Sequence, residues 1–455
     1  MLDLALIGFF GLLLLMGLKR PFIWVLLYIY VDIVAPQKVG WGIIQSLPLS
    51  LMAFAAAFCG WLLLDSKQGS RFTFRQGLIL LLLAYCAMTT LMAQFPEAAQ
   101  VKWDWVWKAM IFAAFLPLTL RTKLRLEAAA LVMALAVGAI VINGAMKTVL
   151  GGGGYGTLSL LVDENAGLYE GSIISTAAIA TIPLILWLAR HGTIFKPEWK
   201  VWTFAGAFVF ACLLIPIGTS ARTGLVCIAF LGAFMLRSVK YKFVYAGFAG
   251  LALIAAIPFL PQSYLDRMGT ITNHQSDQSA STRLAVWSWT LDYAARNPLG
   301  GGFDAYRANS FTYHTIETTE VGGNVMRDYT EVTEEARAYH SSYFEMLGEQ
   351  GWPGLIIFLW LHALGAWQME RIRWRFAKRE NGRKSWQYGM ATALQQAQLT
   401  YLVGAAFVGI AYQPFIFMLV GLQCGLWSYI QRVEAKPAKA RFTRPGSEVP
   451  KPAEA

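Results

Sequence analysis

The feature that most constrains this chain is a succession of apolar stretches, each about as long as a membrane is thick, recurring from Leu4 almost to Ile430. A bilayer's hydrocarbon core is about 30 Å across and takes about 20 helical residues to cross. Only backbone that satisfies its own polar groups is stable there, which favours helices. Length and punctuation place the stretches at 2–18, 21–35, 47–64, 76–93, 102–120, 126–149, 171–190, 201–217, 221–237, 243–260 and 352–369, with two more between about 392 and 431. Hydrophobic residues make up 56% of the chain and charged ones 14%, a balance that rules out an ordinary soluble protein. The first stretch carries Asp3 at its start rather than a basic region and lacks a small-residue cleavage site, so it reads as a retained segment and not a signal peptide. The first two stretches are short enough to form a hairpin. The expectation is therefore an all-α polytopic membrane protein with about 12 transmembrane helices and one large, partly helical periplasmic loop.

The net charge of +11 invites a nucleic-acid reading, and its distribution argues against one. Lysine and arginine gather in short connections, Arg121 to Arg125, Arg237 to Lys242 and Arg371 to Lys384, as they do at cytoplasmic membrane edges. The segment from Pro261 to Gly351 instead holds six Arg, no Lys and twelve Asp or Glu, so no basic surface is available there for nucleic acid. If the basic connections are cytoplasmic, the loops at 94–101, 150–170, 218–221 and 261–351 face the other side, together with the N-terminus. The expected organisation is an N-terminal transmembrane bundle over 1–260, a loop domain over 261–351, C-terminal transmembrane helices over 352–431 and a cytoplasmic tail over 432–455. That tail is rich in Pro, Lys, Ala and Glu and cannot build a core. All five cysteines fall in apolar stretches, which suits helix packing better than a disulfide framework or a zinc site.

Within the long loop, Ser281-Thr282-Arg283 precedes Leu284, Trp287, Leu291 and Ala294, the spacing of an amphipathic helix with a hydroxyl N-cap. Asn297-Pro298 and Gly300-Gly301-Gly302 end it. A second short helix is expected over 341–350, with Trp352-Pro353-Gly354 opening the next span. The polar, acidic stretch from Thr312 to Arg337 has no legible assignment.

Three positions put polar chemistry at what would be the outer face of the membrane. Arg222 lies in Gly218-Thr219-Ser220-Ala221-Arg222-Thr223-Gly224, between two apolar spans joined by almost no loop; the plain alternative is an interfacial arginine reaching headgroup phosphates. Arg283 falls at the first turn of the expected loop helix, where guanidinium and free backbone N–H groups would hold a pyrophosphate together; the alternative is a solvated surface arginine. His340 stands just ahead of the second short helix, whose positive end disfavours imidazolium and so favours a ring able to accept a proton. A structural histidine is the competing reading. Asn165, beside Asp163 and Glu164, and Tyr339 are candidate substrate contacts. Glu331, Glu334 and Glu335 suit a solvated acidic face better than a cation site, so no metal and no cofactor is expected. Gly151 to Gly154 lacks the lysine of a phosphate loop.

In order and spacing, "GTSARTG", "STRLAVWSWTLDYAARNPLGGGFDAY" and "HSSYFEMLGEQGWPGLIIFL" resemble the arginine motif, loop helix and histidine segment of the O-antigen ligase and polymerase superfamily of bacterial membrane glycosyltransferases. The resemblance covers about Leu150 to Ile430. "KRPFIWVLLYIYVDIVAPQKVGWG" further resembles the exosortase-associated O-glycosylation ligases. The resemblance implies an undecaprenyl-pyrophosphate-linked glycan donor in the inner membrane and transfer on the periplasmic face without a metal ion. The acceptor would be a hydroxyl, lipid A core first among the choices. Arg222 and Arg283 would stabilise the departing pyrophosphate while His340 deprotonates the acceptor, with inversion. A polymerase or a protein O-oligosaccharyltransferase would share this pattern. A transporter of lipid-linked sugars remains the alternative from another class, although the halves show none of the internal repeats common in transporters.

Overall fold

The computed structural model describes residues 2–40, 42–150, 168–237, 241, 243, 244, 247, 278–321 and 324–434. Helices α1 (Leu2–Lys19), α2 (Phe22–Val34), α3 (Leu49–Leu63), α4 (Phe74–Leu91), α5 (Pro96–Thr119), α6 (Lys123–Leu150), α7 (Gly171–His191), α8 (Trp199–Gly218) and α9 (Arg222–Leu236) occupy the first half. The second half holds the loop helix α10 (Gln278–Arg296), strands β1 (Ser310–Val321) and β2 (Asn324–Glu335), then α11 (Ser342–Ala377), α12 (Trp386–Gly404) and α13 (Pro414–Glu434). Nearly every apolar stretch marked in the sequence coincides with a helix; the stretch at 243–260 lies largely outside the described residues.

Among the described residues, six helical segments are long and apolar enough to cross a membrane: Phe22–Val39, Phe74–Leu91, Lys123–Leu150, Gly171–His191, Trp199–Gly218 and Pro414–Glu434. Two shorter apolar helices, Leu49–Leu63 and Arg222–Leu236, accompany them. The chain is thus a multi-pass helical membrane protein, but length and composition alone do not carry the count to twelve. The reason is visible in α12, whose Gln395, Gln396 and Gln398 are buried and lower its apolar character while pointing inward.

Burial separates the centre of the bundle from its rim. In α7 and α13, 83% of the most apolar stretch is buried, against 39% in α8, which exposes Trp202, Phe204 and Phe210 as a lipid-facing helix does. α7 packs on α6, α8, α9 and α12, and α13 packs on α5 and α12. A polar network runs through this centre. Arg75 is fully buried in the first turn of α4, a turn fixed by a capping box in which the Thr73 N–H donates to Gln76 Oε1 at 2.7 Å. Its guanidinium donates to Leu361 O (3.2 Å), Gln368 Oε1 (3.4 Å) and Gln423 Oε1 (2.8 Å), and Gln423 Nε2 donates in turn to Gln398 Oε1 at 2.9 Å. Bonding of this kind is what lets a charge remain inside an apolar bundle.

The helices share two ends. Asp65 with Arg121 and Arg125, Arg237 with Glu370, and Arg375 and Arg379 with Glu434 join connections at one, basic end. The starts of α5, α7, α9 and α11 gather at the other, beneath α10. The helical architecture carries one addition. The unassigned acidic stretch forms an antiparallel hairpin, β1 with β2, in the register Ser310↔Glu335 through Val321↔Asn324. Asn309, 1% exposed, closes its base: its backbone O accepts from Ala336 N at 3.0 Å, its Oδ1 from Arg337 N at 2.8 Å, and its Nδ2 donates to Arg337 O at 2.7 Å.

Candidate active site

The segment from Tyr339 to Ser342 is fastened from two directions. Ser342 N donates to Ala405 O at 2.8 Å, and its Oγ donates to Val408 O at 2.9 Å while accepting from Ile410 N at 2.8 Å, which pins the start of α11 to the loop after α12. From α10, the Trp287 indole donates to Tyr339 O at 2.9 Å and stacks on Phe344, ring centroids 4.9 Å apart and planes 7° from parallel. Arg283 lies one helical turn before Trp287, so the same stack that anchors α10 brings Arg283 to His340. His340 itself has φ +47, in the left-handed region, a costly conformation for a residue with a Cβ that the surrounding bonds hold in place.

The electrostatics of His340 arise from these neighbours. The residue is open to solvent on one side, yet protein atoms crowd the ring, and this desolvation pushes its pKa below the ordinary imidazole value. The positive charges of Arg283 and Arg337 add to the shift, and Glu170 partly offsets it. The ring is therefore neutral near pH 7 and able to accept a proton. Glu170 reaches this spot as the N-cap of α7, where its Oε2 accepts from Ile173 N at 2.8 Å.

Arg222 is the first residue of α9, on the turn after α8. That turn sits against the start of α7: Ser175 Oγ and Thr219 Oγ1 are 3.0 Å apart, and a Cβ on Gly171 would stand 3.1 Å from Thr219. The start of α7 is thus flanked by the Arg222 turn and by His340. Arg283 requires a correction. α10 is described from Gln278, so Arg283 is no earlier than its second turn, beyond the free N–H groups of a helix start, and offers only its guanidinium. Tyr339 is 3% exposed and its hydroxyl packs toward Gly348, so it supports the segment from beneath. Asn165, like Asp163, Glu164 and the Gly151–Gly154 run, lies outside the described residues. Glu334 pairs with Arg337 at 2.6 Å, and Glu335, the next residue along β2, is on the opposite face of the strand.

Sequence reasoning missed a buried ionic cluster that positions all of this. Lys102, in the second turn of α5, donates to Glu345 Oε1 at 2.8 Å and Glu349 Oε1 at 2.7 Å, with Asp304 at 3.7 Å and the Tyr412 ring centroid at 4.9 Å. Glu345 Oε2 accepts from Ala411 N at 3.0 Å, and Glu349 Oε1 from Asp304 N at 3.0 Å. Burial raises the pKa of Glu349; the Lys102 charge opposes this, while Glu345 and Asp304 add to it. The Glu345 and Glu349 spacing of four residues on one helix face was the readable sign; the lysine, inside an apparently apolar stretch, was not.

The glycines after Pro298 form a strap across the cluster. Gly301 N donates to Gly348 O (3.0 Å), Gly302 N to Glu349 O (2.9 Å), Trp352 N to Pro298 O (3.0 Å) and Gln94 N to Gly301 O (2.9 Å). At Gly302, with φ +79, a Cβ would come within 2.5 Å of the Cβ of Ala93, so only glycine fits. Gly351, with φ 62 and ψ −167, breaks α11 after the short helix over 342–350, and Pro353 falls in the first turn of the longer helix beyond the break, as the sequence suggested.

Residues 207–359 match the family described as O-Antigen ligase, and residues 1–193 match a family of unknown function (DUF5935). No curated protein matches the chain. The first match spans Arg222, Arg283 and His340, and it supports the resemblance to the O-antigen ligase-like superfamily, whose general activity is that of a membrane-embedded glycosyltransferase-type ligase.

Proposed function

We propose that, within this O-antigen ligase-like framework, the protein transfers a glycan from undecaprenyl-pyrophosphate to an acceptor hydroxyl, with lipid A core as the first acceptor to test. The observation that carries the reading is the placement of His340, exposed and held in a left-handed conformation at the start of α11 by the Ser342 and Trp287 bonds, where desolvation of its ring and the Arg283 charge lower its pKa. His340 takes the acceptor proton as the acceptor oxygen attacks the anomeric carbon. The bond from that carbon to the pyrophosphate oxygen breaks, with inversion, and the leaving pyrophosphate carries away the electron pair. Arg222 and Arg283 stabilise the charge that develops on it, as donors fixed in advance do elsewhere, and no metal is needed for that task. The acidic, loop-bearing end of the bundle faces the periplasm and the basic end the cytoplasm of a bacterial inner membrane, in line with the bias of Lys and Arg in short connections. About twelve of the helices then cross the bilayer.

The test is transfer in vesicles holding purified protein, polyprenyl-pyrophosphate glycan and lipid A core, with EDTA present. Wild type is expected to form product, and His340→Ala to lose about 10²- to 10⁴-fold in rate. An undiminished rate in the variant removes His340 from the chemistry. Donor that moves across the vesicle membrane without a new glycosidic bond would make the protein a transporter. Extended donor, or a glycosylated protein acceptor in a parallel reaction, would reassign the acceptor while keeping the site.

A further inference from the structure

At the opposite end of the same helices lies a cavity of about 590 Å³, bounded by the last turns of α7 and α9, the C-terminal half of α11 and the start of α12. Its volume is that of a site for a small molecule or a headgroup. Four arginines line it, Arg190, Arg237, Arg373 and Arg383, against one glutamate, Glu370. That glutamate is already engaged, accepting from Arg237 at 2.9 Å and pairing with Arg373. Arg373, 7% exposed, is held in place by Thr392 Oγ1 and Gln395 Oε1, each at 3.0 Å, with its guanidinium 5.6 Å from the Tyr388 ring centroid. Among the described residues Arg190 and Arg383 have no ion pair and no side-chain hydrogen bond, and both are exposed at the rim.

The remaining wall is mixed: Leu186, Met235 and Ala393 give it an apolar flank, beside His191, Thr392 and Gln396. Trp374 lines it too and is 60% exposed, and Trp199 and Trp367 stand exposed on the same half of the bundle, as aromatic residues do at the level of lipid headgroups. A cavity with a surplus of guanidinium groups, one apolar flank and interfacial tryptophans suits a ligand that carries a phosphate and an acyl chain. We infer that this cavity binds the phosphate headgroup of an anionic phospholipid from the leaflet at the basic end. The two uncommitted arginines take its phosphate oxygens, and Leu186 and Met235 flank the start of its chains. The inference rests on this cavity alone and does not depend on the transfer reaction.

The experiment is lipid retention, read by native mass spectrometry on the full chain purified from vesicles containing phosphatidylglycerol and phosphatidylcholine. Wild type is expected to retain phosphatidylglycerol selectively, and Arg190→Gln with Arg383→Gln to lose about five-fold for each arginine removed. Arg71→Gln with Lys384→Gln removes equal charge at the same end outside the cavity and is expected to retain lipid as wild type does. Equal retention by the two double variants overturns the inference. Thermal protection by inorganic phosphate without protection by phosphatidylglycerol also overturns it, assigning the cavity to a soluble phosphate compound. Size-exclusion profiles and melting temperatures matching wild type confirm that the rim variants are folded.

Discussion

The two ends of this bundle use charge in opposite ways. At the loop-bearing end Lys102 is enclosed by three carboxylates and two aromatic rings, with little surface left for anything else to touch. At the basic end four arginines line an open cavity whose one glutamate pairs with two of them. A buried, balanced cluster fixes geometry, because moving any member strands a charge in low dielectric. An open, unbalanced one fixes little and leaves attraction to spare. The contrast teaches that the precision needed at His340 comes from below as well as from α10, through ion pairing between α5 and the short helix over 342–350.

The largest expected effect tests that difference directly. Lys102→Met leaves Glu345 and Glu349 buried without their cation and is expected to cost about 3–5 kcal/mol of stability, measured by thermal or denaturant unfolding in detergent. A cost no greater than that of a surface ion pair would erase the distinction between the two ends. A smaller and more specific effect concerns protonation. Arg283 lowers the His340 pKa, so Arg283→Gln is expected to move the acid limb of the rate–pH profile upward, toward the ordinary imidazole value of about 6.5. A variant that only loosened the fold would lower the rate at every pH and leave the limb in place.

The smallest effect belongs to the basic end. Partial burial pushes the Asp65 carboxyl upward, but the Arg125 and Arg121 guanidinium groups outweigh it and hold the pKa below its ordinary value. A depressed carboxylate contributes stability that is complete above its unfolded pKa of about 3.9 and is lost as pH falls through the folded value. Asp65→Asn is expected to flatten that acid-side loss, to cost at most about 1 kcal/mol at neutral pH and to leave transfer unchanged. A cost comparable to that of Lys102→Met would mean that the basic end is built as tightly as the other.

The helices were legible because burial in lipid imposes long apolar runs, and the break before Trp352-Pro353 was legible because glycine and proline punctuate helices for steric reasons. The hairpin was not, because Ser310 to Glu335 is polar and acidic, with its few apolar residues spread along both strands and no regular alternation that marks a face against a core. Gly322-Gly323 between two runs rich in Thr and Tyr was the available sign. Arg222, Arg283 and His340 could be picked out individually, but the approach of Arg283 to His340 depends on Trp287 and that of the Arg222 turn to α7 on Ser175, contacts between residues distant in the chain. The same distance hid Lys102, whose carboxylates come 243 and 247 residues later.

Sequence distance also orders events in time. Arg75 belongs to the capped first turn of α4, whereas its acceptors at Leu361 and Gln423 come 286 and 348 residues later. At about 5–20 residues per second of synthesis, the arginine waits roughly 15–70 s in the nascent chain before those acceptors exist. Its place in the first turn, next to the basic end, lets the guanidinium reach the interface meanwhile. Only when α11 and α13 are in place does the guanidinium have the full set of acceptors, Leu361 O, Gln368 Oε1 and Gln423 Oε1, so the buried charge of α4 is completed by the last helices to be made.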